Sequence, residues 1–218
     1  MKADKGFLIS IQSPSGQNLA KGKTQKQLSG IKDAVFARDK KTCQYCGFSS
    51  NKFMRWVAKD GNPHNMQEAN MMTVCLLCHD ALNCGVRDGK AKGSFIYLPQ
   101  LTQAELNWII HTCFIMQSLE GQKNLQHKIM IFFNGLKGNE AVAEKFFGKG
   151  SSNPLSLKNV MGMLSKTHYE ARNQIFFGLR YLGSIKAYQA EYSTISKLIN
   201  PDHYDITSLS QVYKQFVK

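Results

Sequence analysis

The stretch TVCLLCHDALN, Thr73 to Asn83, contains one of the two C-x-x-C pairs of this chain. The other pair, Cys43 and Cys46, lies in TCQYCGF, and 28 residues separate it from Cys75. A C-x-x-C turn brings two thiolates to one point, and two such turns complete a tetrahedron around a metal ion. Cys43, Cys46, Cys75 and Cys78 therefore predict a structural zinc site, in which no coordination position is left for a reactive water.

The remaining cysteines and two of the histidines have no motif around them. Cys84 and Cys113 lack a C-x-x-C partner and are predicted to be small buried hydrophobic residues, although Cys84 follows Cys78 closely enough to be an alternative ligand. His111 and His127 fall within helical patterns and are predicted to be ordinary core residues. Cysteines arranged mainly in C-x-x-C pairs favour a metal in a reduced compartment over a disulfide framework, so we expect a cytosolic protein.

The charge of the chain is strongly positive and unevenly distributed. The formal net charge is +13, and residues 1–60 hold twelve lysines and arginines against four acidic residues. Such a surface attracts nucleic acid, acidic protein segments or an anionic membrane leaflet without selecting among them. No apolar run is long enough to predict a membrane span.

Helix start signals dominate the second half of the sequence. Thr102 and Glu105 form a capping box in front of an apolar stripe, and Pro154 fits the first position of another helix. Thr167 and Glu170 make a second capping box, which predicts a helix running into IFFGLRYL. The chain beyond residue 99 is therefore predicted to be mainly helical.

The first half of the sequence mixes strand and helix patterns. Residues 6–16 and 93–99 are predicted to form short strands, and residues 21–40 a basic amphipathic helix. These patterns predict an α+β fold with an N-terminal region, residues 1–98, that contains the metal module. A helical region, residues 99–218, is expected to pack against it as part of one unit, because the metal module alone is too small to offer a large core.

The segments FARDKKTCQYCGF and ANMMTVCLLCH resemble the zinc-containing HNH endonuclease family. In that family a ββα-metal unit uses one histidine as general base, an asparagine to orient it and a final histidine to help hold a catalytic cation. The resemblance places Asn70 on the orienting asparagine and His79 on the final histidine. Trp56 or Val57 stands where the base is expected, and the nearest histidine, His64, lies in a Gly/Asn/Pro turn. We therefore predict no catalytic residue.

A second resemblance covers more of the chain. TCQYCGF, MMTVCLLC, IYLPQLTQAELN and EKFFGKGSSNP, from about Arg38 to Pro154, resemble the DotN (IcmJ) family of type IVB secretion systems. That family implies an HNH-like fold without nuclease function, which serves as a structural subunit of the type IV coupling complex. The implied partners are the C-terminal segment of the coupling ATPase DotL, together with DotM and the adaptor pair IcmS and IcmW.

These observations predict a non-catalytic, zinc-stabilised scaffold that is cytoplasmic and recruited to the cytosolic face of the inner membrane through its partners. Two alternatives are an HNH-type nuclease that uses His64 or His79, and a basic DNA-binding module. Nuclease activity lost in a His79→Ala variant would favour the first alternative, and binding that weakens steeply with salt would favour the second.

Overall fold

Helices and short antiparallel strands alternate along the part of the chain that the computed structural model describes, residues 24–62 and 65–198. The predicted strand at residues 6–16 and His64 lie outside these described residues. The fold is α+β, as predicted. Its elements are, in chain order, α1 (Gln25–Arg38), β1 (Arg55–Ala58), β2 (Met71–Val74), α2 (Leu76–Leu82), β3 (Val86–Arg87), β4 (Lys90–Ala91), β5 (Gly93–Tyr97), α3 (Gln103–Gln117), α4 (Lys123–Lys137), α5 (Asn139–Phe147), α6 (Pro154–Met163), α7 (Lys166–Glu170), α8 (Arg172–Ile175), β6 (Leu179–Gly183) and α9 (Ile185–Ser196).

Local capping chemistry fixes where the longer helices begin. At α3 the Thr102 side chain accepts a hydrogen bond from the Glu105 amide, and the Glu105 carboxylate accepts from the Thr102 amide, so the predicted capping box is confirmed. Asn153 caps α6 and Pro154 occupies its first turn, also as predicted. These bonds satisfy amide groups that a helix leaves without partners at its N-terminus.

The predicted helix through IFFGLRYL is wrong. Thr167 and Glu170 lie inside the short helix α7, which is capped instead by Ser165, whose side chain accepts a hydrogen bond from the His168 amide. The chain then turns at Gly178, where φ is +81°, and enters the buried strand β6. A short apolar run fits a buried strand as well as a helix, and pairing with a distant strand decides between them here.

Strand β6 pairs antiparallel with β5, in the register Gly93↔Gly183 to Tyr97↔Leu179. This ladder joins two parts of the chain that lie far apart in sequence. On its outer side, the Gln103 side chain donates to the Tyr181 carbonyl at 2.8 Å and accepts from the Tyr181 amide at 2.7 Å. Strand β6 therefore has a side-chain amide in place of a third strand at this residue.

The candidate metal-binding segment, residues 42–83, is built from a hairpin followed by a helix. Strands β1 and β2 pair antiparallel, and α2 starts directly after β2. Helix α1 is fastened to the hairpin because Arg38 donates to the carbonyls of Glu68 and Met71. The neighbouring Asp39 carboxylate accepts from the Thr73 amide at 2.8 Å. These bonds hold the loop after α1 beside β2.

One apolar cluster extends from the metal-binding segment into the helices behind it. Its members include Cys43, Phe48 and Val74 as well as Leu106 and Tyr192. Helix α3 contributes most of one face to this cluster, which explains the strongly apolar stripe in its sequence. Within the described residues, no helix combines the length and apolar character needed to cross a bilayer.

Candidate metal centre

The two C-x-x-C pairs meet in the structure. The sulfurs of Cys43, Cys46, Cys75 and Cys78 all lie within 4.8 Å of one another. Cys75 is the N-cap residue of α2, and its sulfur accepts a hydrogen bond from the Cys78 amide at 3.3 Å. The sequence therefore identified a real cluster of potential ligands that could hold a metal ion.

The first pair lies in a tight turn that is anchored to the second. The Gly47 amide donates to the Cys43 carbonyl at 2.9 Å, and Gly47 has a φ of +79°, a conformation that favours glycine. The Cys43 amide in turn donates to the Phe48 carbonyl at 2.8 Å. A bond of 2.9 Å from the Gln44 amide to the Thr73 carbonyl joins this turn to β2. The backbone therefore places both pairs without help from a disulfide.

The donor set fits a tetrahedral metal ion. Sulfurs that lie about 2.3 Å from a central ion are roughly 3.8 Å apart, and Cys46 Sγ lies 3.6 Å from Cys75 Sγ. Hydrogen bonding to Cys43, and then to Cys75 and Cys78, lowers the pKa of Cys46, whereas burial foremost raises the pKa of Cys75 far above its usual range. Four thiols this close, three of them on buried residues, cannot all ionise unless a cation neutralises them, and thiolate ligands are typical of zinc.

Two side chains of α3 approach the sulfurs from behind. Asn107 Nδ2 donates to Cys78 Sγ at 3.2 Å, and His111 Nε2 lies 3.1 Å from Cys75 Sγ. The other ring nitrogen of His111 is hydrogen-bonded to the Tyr192 hydroxyl of α9. The His111 ring also stacks on Phe48, with centroids 3.8 Å apart.

The interpretation of His111 as an ordinary core residue is therefore incomplete. The residue is 98% buried, as a core position requires, but its ring lies against a predicted metal ligand. Spacing in the sequence did not reveal this, because His111 lies 36 positions after Cys75. One signal was present: Asn107 and His111 are polar residues four apart within an apolar helix stripe, and buried polar groups need partners.

The other two cysteines stay outside the cluster. Cys84 and Cys113 are both buried, as predicted, and neither belongs to the group of potential metal ligands found in the described residues. Burial raises the pKa of each thiol to about 12. Both are therefore neutral, unreactive thiols at physiological pH.

The residues that match the HNH motif make local structural bonds. Asn70 Nδ2 donates to Asp60 Oδ1 at 3.0 Å and to the Asn65 carbonyl at 2.9 Å, which closes the loop between β1 and β2. His79 Nδ1 donates to Asp80 Oδ1 at 3.0 Å, and its Nε2 accepts from the Asn83 side chain at 3.4 Å. Both predicted positions are thus occupied by intramolecular contacts.

Asp80 is the centre of a buried polar network behind α2. This fully buried carboxylate accepts a hydrogen bond of 2.5 Å from the Tyr188 hydroxyl, which itself accepts from the Tyr181 hydroxyl at 3.1 Å. Arg87 lies 3.5 Å from Asp80 and forms an ion pair of 3.0 Å with Glu191. The network links α2 to β3, β6 and α9, and its members could not be paired from the sequence.

A groove of about 880 Å³ opens between α4, the paired ends of β5 and β6, and the start of α9. Two buried acceptors line it, Gln117 Oε1 and Glu140 Oε1. Neither oxygen has a hydrogen-bond partner among residues 24–62 and 65–198. Met130, which is 39% exposed, lies on the α4 side of the groove. Buried acceptors without donors are uncommon in native proteins and suggest that something else supplies the donors.

Comparison with known proteins gives one informative match. The chain is 30% identical over 178 residues to the Type 4 apparatus protein DotN of Legionella pneumophila subsp. pneumophila (strain Philadelphia 1), and the match covers 80% of this chain and 82% of that protein. No family model matches the chain.

Proposed function

The chain belongs to the DotN family of type IV secretion components, and we propose that it is a non-catalytic, zinc-stabilised subunit of a coupling complex. In this proposal it binds the C-terminal segment of a DotL-type coupling ATPase. DotM-like and IcmS/IcmW-like subunits belong to the same complex, and they bring the chain to the cytosolic face of the inner membrane. The family resemblance supports these partners.

The observation that carries the proposal is the four-sulfur cluster with three of its four residues buried. Four cysteine ligands fill the coordination sphere of a tetrahedral zinc ion and leave no position for water or substrate. A site of this kind stabilises a fold and does not activate a nucleophile. The protein therefore supplies a shaped surface, and the metal preserves that shape.

The surroundings of the cluster support the absence of nuclease activity. In HNH chemistry a histidine must reach its water within hydrogen-bond distance. The strand position where the resemblance expects that base is filled by Trp56 or Val57 in β1, and the Asn70 side-chain amide donates to Asp60 and to the Asn65 carbonyl. Of the two histidines considered for such chemistry, His79 lies in the described part of the chain, and its ring nitrogens contact Asp80 and Asn83.

The groove beside α9 is the place where we expect the ATPase segment to dock. An extended peptide carries backbone N–H groups, which are the donors that Gln117 Oε1 and Glu140 Oε1 lack among the described residues. Met130 adds an adaptable apolar contact at the rim. Docking here would satisfy both acceptors and bury part of the exposed surface of α4.

Calorimetric titration of the zinc-loaded protein with the ATPase segment tests this proposal. We expect one-to-one binding that is weakened at least about tenfold by Met130→Glu, because a charge would be buried at the contact. Ile131→Glu is the matched control: Ile131 is the next residue of α4, is 51% exposed and does not line the groove. Equal binding by both variants would exclude the groove, and no binding by the folded wild-type protein would exclude the partner.

A plasmid-nicking assay with added divalent cations tests the absence of catalysis. We expect no nicking by the wild-type protein and no difference in the His79→Ala variant. Nicking that disappears in His79→Ala would overturn the non-catalytic proposal. For the DNA-binding alternative, affinity that falls by orders of magnitude between low and physiological salt would be the decisive result.

A further inference from the structure

The environment of Cys75 differs from that of the other sulfurs in the cluster. Its sulfur is the one that His111 approaches most closely, at 3.1 Å, while Cys46 Sγ is 3.8 Å from the same nitrogen. The ring is held on one side by stacking against Phe48 and at its far nitrogen by the Tyr192 hydroxyl. His111 is 98% buried, so no bulk water competes for these contacts.

A metal-bound thiolate can only accept hydrogen bonds, which fixes the direction of each bond in this chain. The His111 Nε2 must carry the proton and donate it to Cys75 Sγ. In the neutral ring Nδ1 is then an acceptor, so the Tyr192 hydroxyl donates to it. By donating to Nδ1, Tyr192 stabilises the tautomer that donates to the thiolate.

These hydrogen-bond donors compensate the negative charge of the metal-bound cysteines. Four thiolates around a divalent cation leave a net charge of about −2 in a buried site. Hydrogen bonds from Asn107 to Cys78, from the Cys78 amide to Cys75 and from His111 to Cys75 spread that charge into the protein. Removing one of them leaves a buried thiolate less well stabilised, which lowers the affinity of the site for the metal.

We propose that His111 and Tyr192 are positioning residues for the metal, which orient the Cys75 thiolate and connect the metal centre to helix α9. This inference rests on the zinc in the proposed function. It assigns the metal site a second layer, contributed by helices that carry no ligand. Occupancy of the metal and docking of α9 should consequently strengthen each other.

The proposal is tested by measuring the metal affinity of single variants, using chelator competition on purified zinc-loaded protein. Tyr192→Phe removes only the hydroxyl, and His111→Phe removes both bonds but keeps a ring to stack on Phe48. We expect each to weaken zinc binding about 10- to 100-fold. The sulfur-to-metal absorption band of the cobalt-substituted protein should also shift in His111→Phe.

Tyr188→Phe is the matched control, because it removes a buried hydroxyl one turn earlier on α9 that bonds to Asp80 and not to the His111 chain. We expect its zinc affinity to fall by less than about threefold, which is well below the loss expected for Tyr192→Phe and His111→Phe. Equal losses in Tyr188→Phe and Tyr192→Phe would show that α9 packing alone matters and would overturn the proposal. If Tyr192→Phe and His111→Phe bind zinc as tightly as the wild-type protein, the proposal is also overturned. If the wild-type protein itself binds no zinc, the proposed metal is refuted.

Discussion

The metal-binding segment, residues 42–83, and the helical layer behind it are held together by different forces. Non-glycine residues at positive φ flank the first cysteine pair: Lys40 and Lys41 directly precede the segment, and Phe53 lies within it. Such conformations each cost on the order of 1 kcal/mol and persist only where other interactions impose them. The helical layer instead buries large rings, among them Phe114, Tyr188 and Tyr192. With the proposed zinc bound, the first region would depend on its ligand, whereas the second depends on burial.

Removing a metal ligand should separate the two regions most strongly. In Cys75→Ala we expect the bound zinc to be lost and the metal-binding segment to unfold, because apparent binding energies on the order of 10 kcal/mol support such sites. Metal content and chemical-shift dispersion of the segment are the measurements. Cys84→Ala is the control and should keep one zinc per chain, since Cys84 is outside the cluster. A fully folded metal-free protein would abolish the contrast between the regions.

A cavity in the helical layer should lower the stability of the protein without releasing the zinc. Phe114 is 98% buried and its ring contacts Phe133, Tyr188 and Tyr192. Phe114→Ala is expected to lower the free energy of unfolding by roughly 3–5 kcal/mol while zinc content stays at one per chain. Denaturant unfolding checks the first value. Trp108→Ala on the same helix should cost far less, because Trp108 is 49% exposed.

The polar contact between the regions should have an intermediate effect. Tyr188→Phe removes the donor to the buried Asp80 carboxylate, and hydrogen bonds to charged groups are worth about 1.5–3 kcal/mol. Unfolding of the zinc-loaded variant measures the loss. Tyr97→Phe is a suitable comparison, since the Tyr97 hydroxyl has no hydrogen bond within the described part of the chain and its ring stacks on Phe146. Equal stability of the two variants would mean that the buried network contributes nothing.

The smallest expected effect is a difference in reactivity between the cysteines inside the cluster and those outside it. Burial raises the pKa of Cys84 and Cys113 to about 12, so at pH 8 only about one molecule in ten thousand carries either thiolate. Iodoacetamide at pH 8 should give no adduct in the zinc-loaded protein, and chelation should expose the four cluster cysteines. Mass spectrometry counts the adducts.

The same pKa values fix the sign of a pH effect. Above about pH 8.5 the unfolded chain loses protons from Cys84 and Cys113 that the folded chain retains, so stability falls as pH rises toward 12. Urea unfolding at pH 7.5 and pH 9.5 measures this. In the iodoacetamide experiment, rapid labelling of Cys113 in the zinc-loaded protein would contradict its burial.

Local signals in the sequence predicted the local structure well. Thr102, Glu105 and Pro154 marked helix starts correctly, because a helix cap depends on neighbours within four residues. The cysteine spacing identified the cluster because each C-x-x-C pair is local and two such pairs complete one ligand set. Strand β6 was missed because its partner β5 lies far away in sequence and LRYLG alone has no decisive period. His111 was placed correctly in the core, but its contact with Cys75 depends on the packing of α3 against α2, which no local pattern encodes.

The pairing of β5 with β6 also has a consequence for protein synthesis. Strand β5 is synthesised long before Gly183, so at 5–20 residues per second about 4–18 seconds pass before its partner strand is complete. During that interval Phe95 and Ile96, both fully buried in the finished fold, have no β6 to cover them. The nascent chain therefore exposes an apolar strand at a time when all four cysteines of the cluster have been synthesised. A chaperone that shields β5 would increase the yield of correctly folded protein.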